Sequence, residues 1–385
     1  MTDPHRHAGP PAPTAVRTSG EATFAELAAR AVAFSGRAER ATHGFHTYPA
    51  GMNADCAAVL IRELPIPEGA SNVHDPFCGG GTVLVEALLA GRPASGADLS
   101  PVAMLVSRTR TASPSRAGAL RAASRRITKA ALASGPMRVP DICVDWYEPH
   151  VVQELGRIRA LIDEVEDNAT RGLLEAVLSA IAIKTSYRES DTSNRRRPMH
   201  RAPGTTAVLF HKKARELGRM LDEMPADGQV RVRIGDARVT APPNGTGLVL
   251  TSPPYPGVYD YLPMQQLRYA WLDLDPGRGV ADEVGSRRAF RALGRREALH
   301  RWRQDTAEWI QTQVNGLAPG GFLGIVVGDG LVGDRPVDTL SPTIDAMREA
   351  GLDIVARASA DRPDHARETI RTEHLVVGRR PLPHA

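Results

Sequence analysis

Eight residues constrain the fold of this chain more than any others: Asp75-Pro76-Phe77-Cys78-Gly79-Gly80-Gly81-Thr82. They follow a short strand-like run, Ser71 to Asp75, and lead into Thr82 to Ala90, which has helical spacing with Thr82 as its expected cap. Glycines after a strand let the backbone turn tightly and approach a ligand closely, and the helix behind them offers free amides at its start. The next apolar stretch, Ala94 to Asp98, predicts a second strand. Strand, glycine turn, helix and strand together open a doubly wound α/β sheet. A glycine-rich turn can be structural only, but Asp98 stands at the end of the second strand, where a carboxylate accepts from ribose hydroxyls or caps a turn. The pair predicts a site for a nucleoside-type cofactor. No Gly-Lys-Ser or Gly-Lys-Thr follows the glycines, which disfavours a triphosphate.

The rest of the chain divides around that unit. Residues 1–20 are rich in Pro, His, Thr and Gly without apolar periodicity and predict a disordered tail. Helical spacing marks Phe24 to Phe34 and Asn53 to Leu64, so residues 21–104 form the first half of the sheet domain. Residues 105–225 are mainly helical by pattern, interrupted by the arginine-rich stretch Glu189 to Gly204. Residues 226–385 hold further strands at Val230 to Ile234, Gly247 to Thr251, Gly321 to Val327, Asp353 to Ala358 and His374 to Gly378. Helices are expected around Met264 to Leu272, over Arg287 to Leu317 and over Ser341 to Ala350.

Composition narrows the chemistry. The 385 residues are 42% hydrophobic, enough for a sizeable core, and no apolar run has the length of a membrane span. With no apolar leader near Met1 the expectation is a soluble, cytoplasmic protein. Cys56, Cys78 and Cys143 lie far apart and the histidines have no ligand spacing, so no metal is expected. The net charge of +4 is mild, but basic residues cluster. They occur from Leu105 to Gly135 without one acid, again from Arg188 to Arg215, and again from Arg287 to Arg296. Each cluster can be a solvated helix face; three together point to a phosphate backbone.

A second constellation, Thr251-Ser252-Pro253-Pro254-Tyr255, directly follows the apolar run Gly247 to Leu250. Two prolines stiffen the turn, leave carbonyls free as acceptors and fix the direction of the aromatic. The Ser252 hydroxyl and the Pro253 carbonyl can each accept one hydrogen of an exocyclic amine, while Tyr255 can stack on a base. Such acceptors draw the nitrogen lone pair out of ring conjugation and aim it at a methyl sulfonium. Carbon methylation of a pyrimidine needs a thiolate, usually from a Pro-Cys dipeptide, and this chain has none.

Both constellations resemble motifs of the amino-group DNA methyltransferases: Asp75 to Thr82 the cofactor motif, Ser252 to Tyr255 the catalytic motif. His46-Thr47-Tyr48-Pro49-Ala50-Gly51-Met52 is similar to the segment that, in many of these enzymes, closes over the methionine end of the cofactor. The three motifs stand in consistent order along the chain. The resemblance implies a Rossmann-like class I methyltransferase sheet of seven strands with an antiparallel last strand, a helical insertion for target recognition, and S-adenosyl-L-methionine as cofactor. It implies cofactor contacts from Tyr48, Pro49, Asp75, Phe77, Gly79, Gly81, Thr82 and Asp98, and places Asp236 where the adenine of the cofactor is often bound. Ser252, Pro253, Pro254 and Tyr255 become the catalytic residues, acting on a base flipped out of DNA. A serine ahead of the prolines is more typical of cytosine N4 than of adenine N6 enzymes. Asp260, between Tyr259 and Tyr261, orients the base or takes its proton, or caps the next helix. Arg188, Ser193 and Arg195 belong to a loop that covers the substrate groove or is merely solvated. The alternatives are amino-methylation of an RNA base and a non-catalytic protein of this fold that binds nucleic acid.

Overall fold

The computed structural model describes residues 10–49, 51–190, 193–258, 260–277, 283–332, 335–364 and 369–383. Its first element corrects the reading of residues 1–20 as a tail without structure: Ala15–Gly20 form an exposed edge strand, β1. No apolar periodicity betrays this strand, because it is held by ladder bonds to a segment near the other end of the chain. Helices α1 (Ala22–Val32) and α2 (Ala54–Glu63) each bury one face, and the Asn53 side chain caps α2 by accepting from the Asp55 and Cys56 amides.

Strand β2 (Val73–Asp75), helix α3 (Thr82–Leu89), strand β3 (Ala94–Asp98) and helix α4 (Pro101–Arg110) then alternate as expected. The cap of α3 differs. Its cap position is Gly81, left-handed at φ 80° and without a side-chain bond, and Thr82 already lies inside the helix. The turn requires a positive φ there, which a threonine resists. Helix α4 crosses the boundary expected at residue 104; it packs on β3, so the insertion begins after it.

Four helices build the insertion: α5 (Ala117–Ala131), α6 (Pro149–Asp163), α7 (Asn168–Thr185) and α8 (Thr205–Leu221). The arginine-rich stretch contributes a small hairpin, β4 (Arg188–Ser190) with β5 (Ser193–Arg196). Leu120, Leu155, Leu178 and Phe210 of these helices join the same hydrophobic cluster as Leu60, Val83 and Leu248, so the insertion shares the core of the sheet.

Strands β6 (Val230–Ile234) and β7 (Thr246–Thr251) precede helices α9 (Tyr261–Met264), α10 (Gln266–Leu272), α11 (Arg287–Leu293) and α12 (Arg295–Gly316). The single helix expected from Arg287 to Leu317 is broken at Gly294, whose φ of 77° interrupts the helical path. After β8 (Leu317–Gly328) come the hairpin β9 (Gly330–Val332) and β10 (Arg335–Val337), helix α13 (Leu340–Glu349), and strands β11 (Asp353–Asp364) and β12 (Thr369–Arg379).

The main sheet runs β1-β11-β12-β8-β7-β2-β3-β6. From β8 to β6 neighbours are parallel, and β12 enters antiparallel between β8 and β11. This is the Rossmann-like class I methyltransferase sheet with its antiparallel last strand, widened to eight strands by β1. Helices cover both faces, as the side-chain alternation along β7 shows: Leu248 and Leu250 enter the cluster with α2 and α3, and Val249 enters the one with Trp309 and Met347. Among the described residues no helix is long and apolar enough to cross a membrane. Ligands of such sheets sit beyond the carboxyl ends of the strands, and here β2 and β7 end side by side.

Candidate active site

Asp75 ends β2. Its Oδ1 accepts from the Phe77 amide at 3.1 Å and from the Thr251 hydroxyl at 2.7 Å. Burial pushes its pKa up to about 7, against the lowering effect of those two bonds. Asp98 ends the adjacent β3. Its Oδ2 accepts from the Gly79 amide and its Oδ1 from the Ser100 amide, both at 2.9 Å. Burial raises its pKa and the backbone bonds oppose the shift. Asp98 therefore braces the glycine turn from below, and each oxygen keeps a further lone pair for a ligand.

The turn is a cradle that side chains would fill. A Cβ on Gly79 would stand 3.0 Å from the Tyr48 ring, one on Gly80 would stand 2.9 Å from Arg110 Nη1, and one on Gly81 would stand 3.0 Å from Ser107 Cβ. Tyr48 thus lies against the glycines. Phe77 packs edge-on against Trp309, with ring centroids 5.3 Å apart.

The catalytic loop leaves β7 at Thr251. Ser252 Oγ and Tyr255 OH are 3.4 Å apart, and the Tyr255 ring lies against Gly328 at the end of β8. The Gly257 amide donates to the Gly285 carbonyl at 2.9 Å, tying the loop to the segment before α11.

One cavity of about 1860 Å³ joins these parts. Its wall takes Tyr48, Pro49, Asp75, Phe77, Gly79, Thr82, Asp98 and Asp236 together with Ser252, Pro254, Tyr255 and Arg188. A small-molecule pocket occupies roughly 300 to 1000 Å³, so there is room for a nucleoside cofactor and more.

Other expected residues fare differently. Gly81, Asp260 and Arg195 are off the wall, and so is Pro253, which is buried. Asp260 is a cap: Oδ1 accepts from the Arg288 amide at 2.9 Å, at the start of α11 rather than of the next helix, and Arg287 and Arg288 stand 3.5 Å from its oxygens. Asp236 is held by Arg238, which also pairs with Asp305. Arg188 is buried, and its Nη1 donates to the Met264 carbonyl at 2.7 Å, which removes it from a solvent-side phosphate contact. Arg195 is exposed. Tyr259 and the Ser193 side chain lie outside the described residues.

Sequence reasoning missed two groups. Arg110, placed in a basic cluster, is buried at 5% exposure and donates to Gly80, His43 and His46 carbonyls. Glu283 is buried, accepts from the Tyr261 amide at 2.5 Å, and is pushed up to about 7 by burial. A lone acid in a loop and an arginine on a helix carry no local signal of either role. Among the described residues no group of His, Cys, Asp or Glu is arranged to hold a metal ion.

No family model matches the chain. A segment of 71 residues is 35% identical to the Type II methyltransferase M.MvaI of Kocuria varians, covering 18% of this chain and 16% of that relative. Among solved structures, the rRNA methyltransferase aviRa from Streptomyces viridochromogenes is 14% identical, with 87% of this chain and 88% of that one covered and a TM-score of 0.35. TrmN from Thermus thermophilus is 12% identical, with 85% and 49% covered and a TM-score of 0.34.

Proposed function

We propose that this protein is an S-adenosylmethionine-dependent methyltransferase acting on the exocyclic amine of a base in DNA, with cytosine N4 favoured over adenine N6. The observation that carries this reading is the meeting of two motifs in one cavity, the glycine turn after β2 and the Ser-Pro-Pro-Tyr loop after β7. The cradle suits the cofactor: three glycines where a Cβ would strike neighbours, a buried and a half-buried carboxylate at strand ends, and the Tyr48 ring against the turn. The 71-residue similarity to a Type II methyltransferase supports the reaction class. The choice of DNA and of cytosine rests on the motif resemblance, on the serine ahead of the prolines.

When bound, the cofactor supplies a methyl group made electrophilic by its sulfonium. The chain does the rest. Asp98 orients ribose hydroxyls through the lone pairs its amide bonds leave free. Ser252, on the cavity wall, accepts a hydrogen of the amine and so turns its lone pair toward the methyl, while Pro253, buried off the wall, stiffens the loop. Tyr255, steadied against Gly328, stacks on the flipped base and excludes water. No thiolate is required, since transfer to nitrogen is direct.

The test is methyl transfer from radiolabelled S-adenosylmethionine into duplex DNA, single-stranded DNA and total RNA in parallel, followed by nucleoside mass spectrometry. N4-methylcytosine in DNA is the expected product. N6-methyladenine would move the base, label confined to RNA would move the polymer, and cofactor binding without transfer would leave a nucleic-acid-binding protein of this fold.

A further inference from the structure

Arg110 closes α4 in the wall of the cavity, buried beneath the glycine turn. Its Nη1 donates to the Gly80 carbonyl at 2.8 Å, its Nη2 to the His43 and His46 carbonyls at 3.0 and 2.5 Å, and its Nε makes no hydrogen bond. Every partner is neutral. Among the described residues no carboxylate pairs with the guanidinium, and burial alone lowers its pKa, to about 10. Arg268 and Lys213 act with Arg110 against protonation of His46, which burial already disfavours, and the buried carboxylate of Glu86 pairs with Arg40 and His43 rather than with Arg110. Of the acids on the cavity wall, Asp75 and Asp98 stand at the ends of β2 and β3.

A buried cation without a counter-ion is a costly arrangement for a folded chain to keep, and an anion in the adjoining cavity would complete it. We propose that Arg110 is the electrostatic anchor for the carboxylate at the amino-acid end of the cofactor, holding that end beside Gly80 and leaving the amine and ribose to Asp75 and Asp98. The proposal rests on the cofactor reading above and adds to it the residue that selects a ligand with an intact amino-acid end.

The experiment is calorimetric titration of the full chain with S-adenosylhomocysteine and with its decarboxylated analogue, which keeps the nucleoside, thioether and amine. The wild type is expected to bind the decarboxylated ligand about tenfold more weakly, the usual scale of one charge-assisted contact. Arg110→Met is expected to bind the two alike, at the affinity the wild type shows for the decarboxylated ligand, and Arg110→Lys to recover most of the preference. If the methionine variant does not fold, the two ligands on the wild type and on Arg110→Lys decide the matter. Equal affinity of the wild type for both ligands overturns the proposal, as does parallel weakening of both in Arg110→Met, the mark of a structural role. No binding of either ligand to the wild type would sink the cofactor reading itself, a different result from loss of discrimination.

Discussion

The Thr251 hydroxyl donates to Asp75 Oδ1 across 2.7 Å, so the last residue of β7 grips the last residue of β2 although 176 positions separate them. The glycine turn and the catalytic loop start from that pair, and their relative position is set by it.

The pair also predicts a pH dependence. Burial pushes Asp75 up to about 7, above its unfolded value near 4. Between those values the folded protein keeps a proton that the unfolded chain has released, so stability is greatest below about pH 4 and falls as pH rises through 7. From pH 5 to pH 8 the wild type should lose about 2 kcal/mol more than Asp75→Asn in denaturant unfolding. Parallel curves for the two proteins would mean that Asp75 is ionised throughout.

Tyr255 depends on the absence of a side chain at Gly328, where a Cβ would stand 2.7 Å from its ring. Tyr255→Ala should nearly abolish methyl transfer and leave cofactor affinity within a few fold. Gly328→Ala should displace the ring and lower kcat by about tenfold or more, at a stability cost of about 1 to 3 kcal/mol. Transfer assays beside thermal melts separate the two effects, and an unchanged kcat in Gly328→Ala would detach Tyr255 from the reaction.

Asp98 binds the turn as well as the ligand. Removing its carboxylate leaves the Gly79 and Ser100 amides without their acceptor. Asp98→Ala is expected to weaken cofactor binding by about a hundredfold and to lower stability by about 1 to 3 kcal/mol. Calorimetry showing wild-type affinity in this variant would refute the ribose role.

Strand β1 pairs with β11 from Ala15 opposite Asp361 to Gly20 opposite Ala356. Arg362 adds to the attachment by donating to the Pro11, Val32 and Phe34 carbonyls. Deleting residues 1–20 should therefore lower Tm by several degrees and promote association through the bared edge of β11. A tail without structure would come off with no change in either.

Most of the sheet was legible because strands announce themselves as short apolar or alternating runs between turn residues. Ala94–Asp98 and Val230–Ile234 appear residue for residue. β1 was not, since an exposed polar strand owes its existence to a distant partner. Charge was the least legible property. Arg110 and Arg188 sit in runs of basic residues, yet both are buried on backbone carbonyls, because sequence gives the sign of a side chain and not its direction. Asp260 shows the same limit: capping and catalysis call for the same residue type, and only the position of α11 separates them.

The sheet order also dictates when the protein can be finished on the ribosome. β2 and β3 emerge early, but the neighbour of β2 on its other side, β7, is made only after the whole insertion. Helices α5 to α8 pack mostly on one another and can settle while they wait. The seam between Val73 and Leu248 closes later, and β1 waits until nearly the entire chain is out. A nascent product cut short before β7 would leave one edge of β2 unpaired, an opening for chaperones and proteases at the place where the two motifs meet.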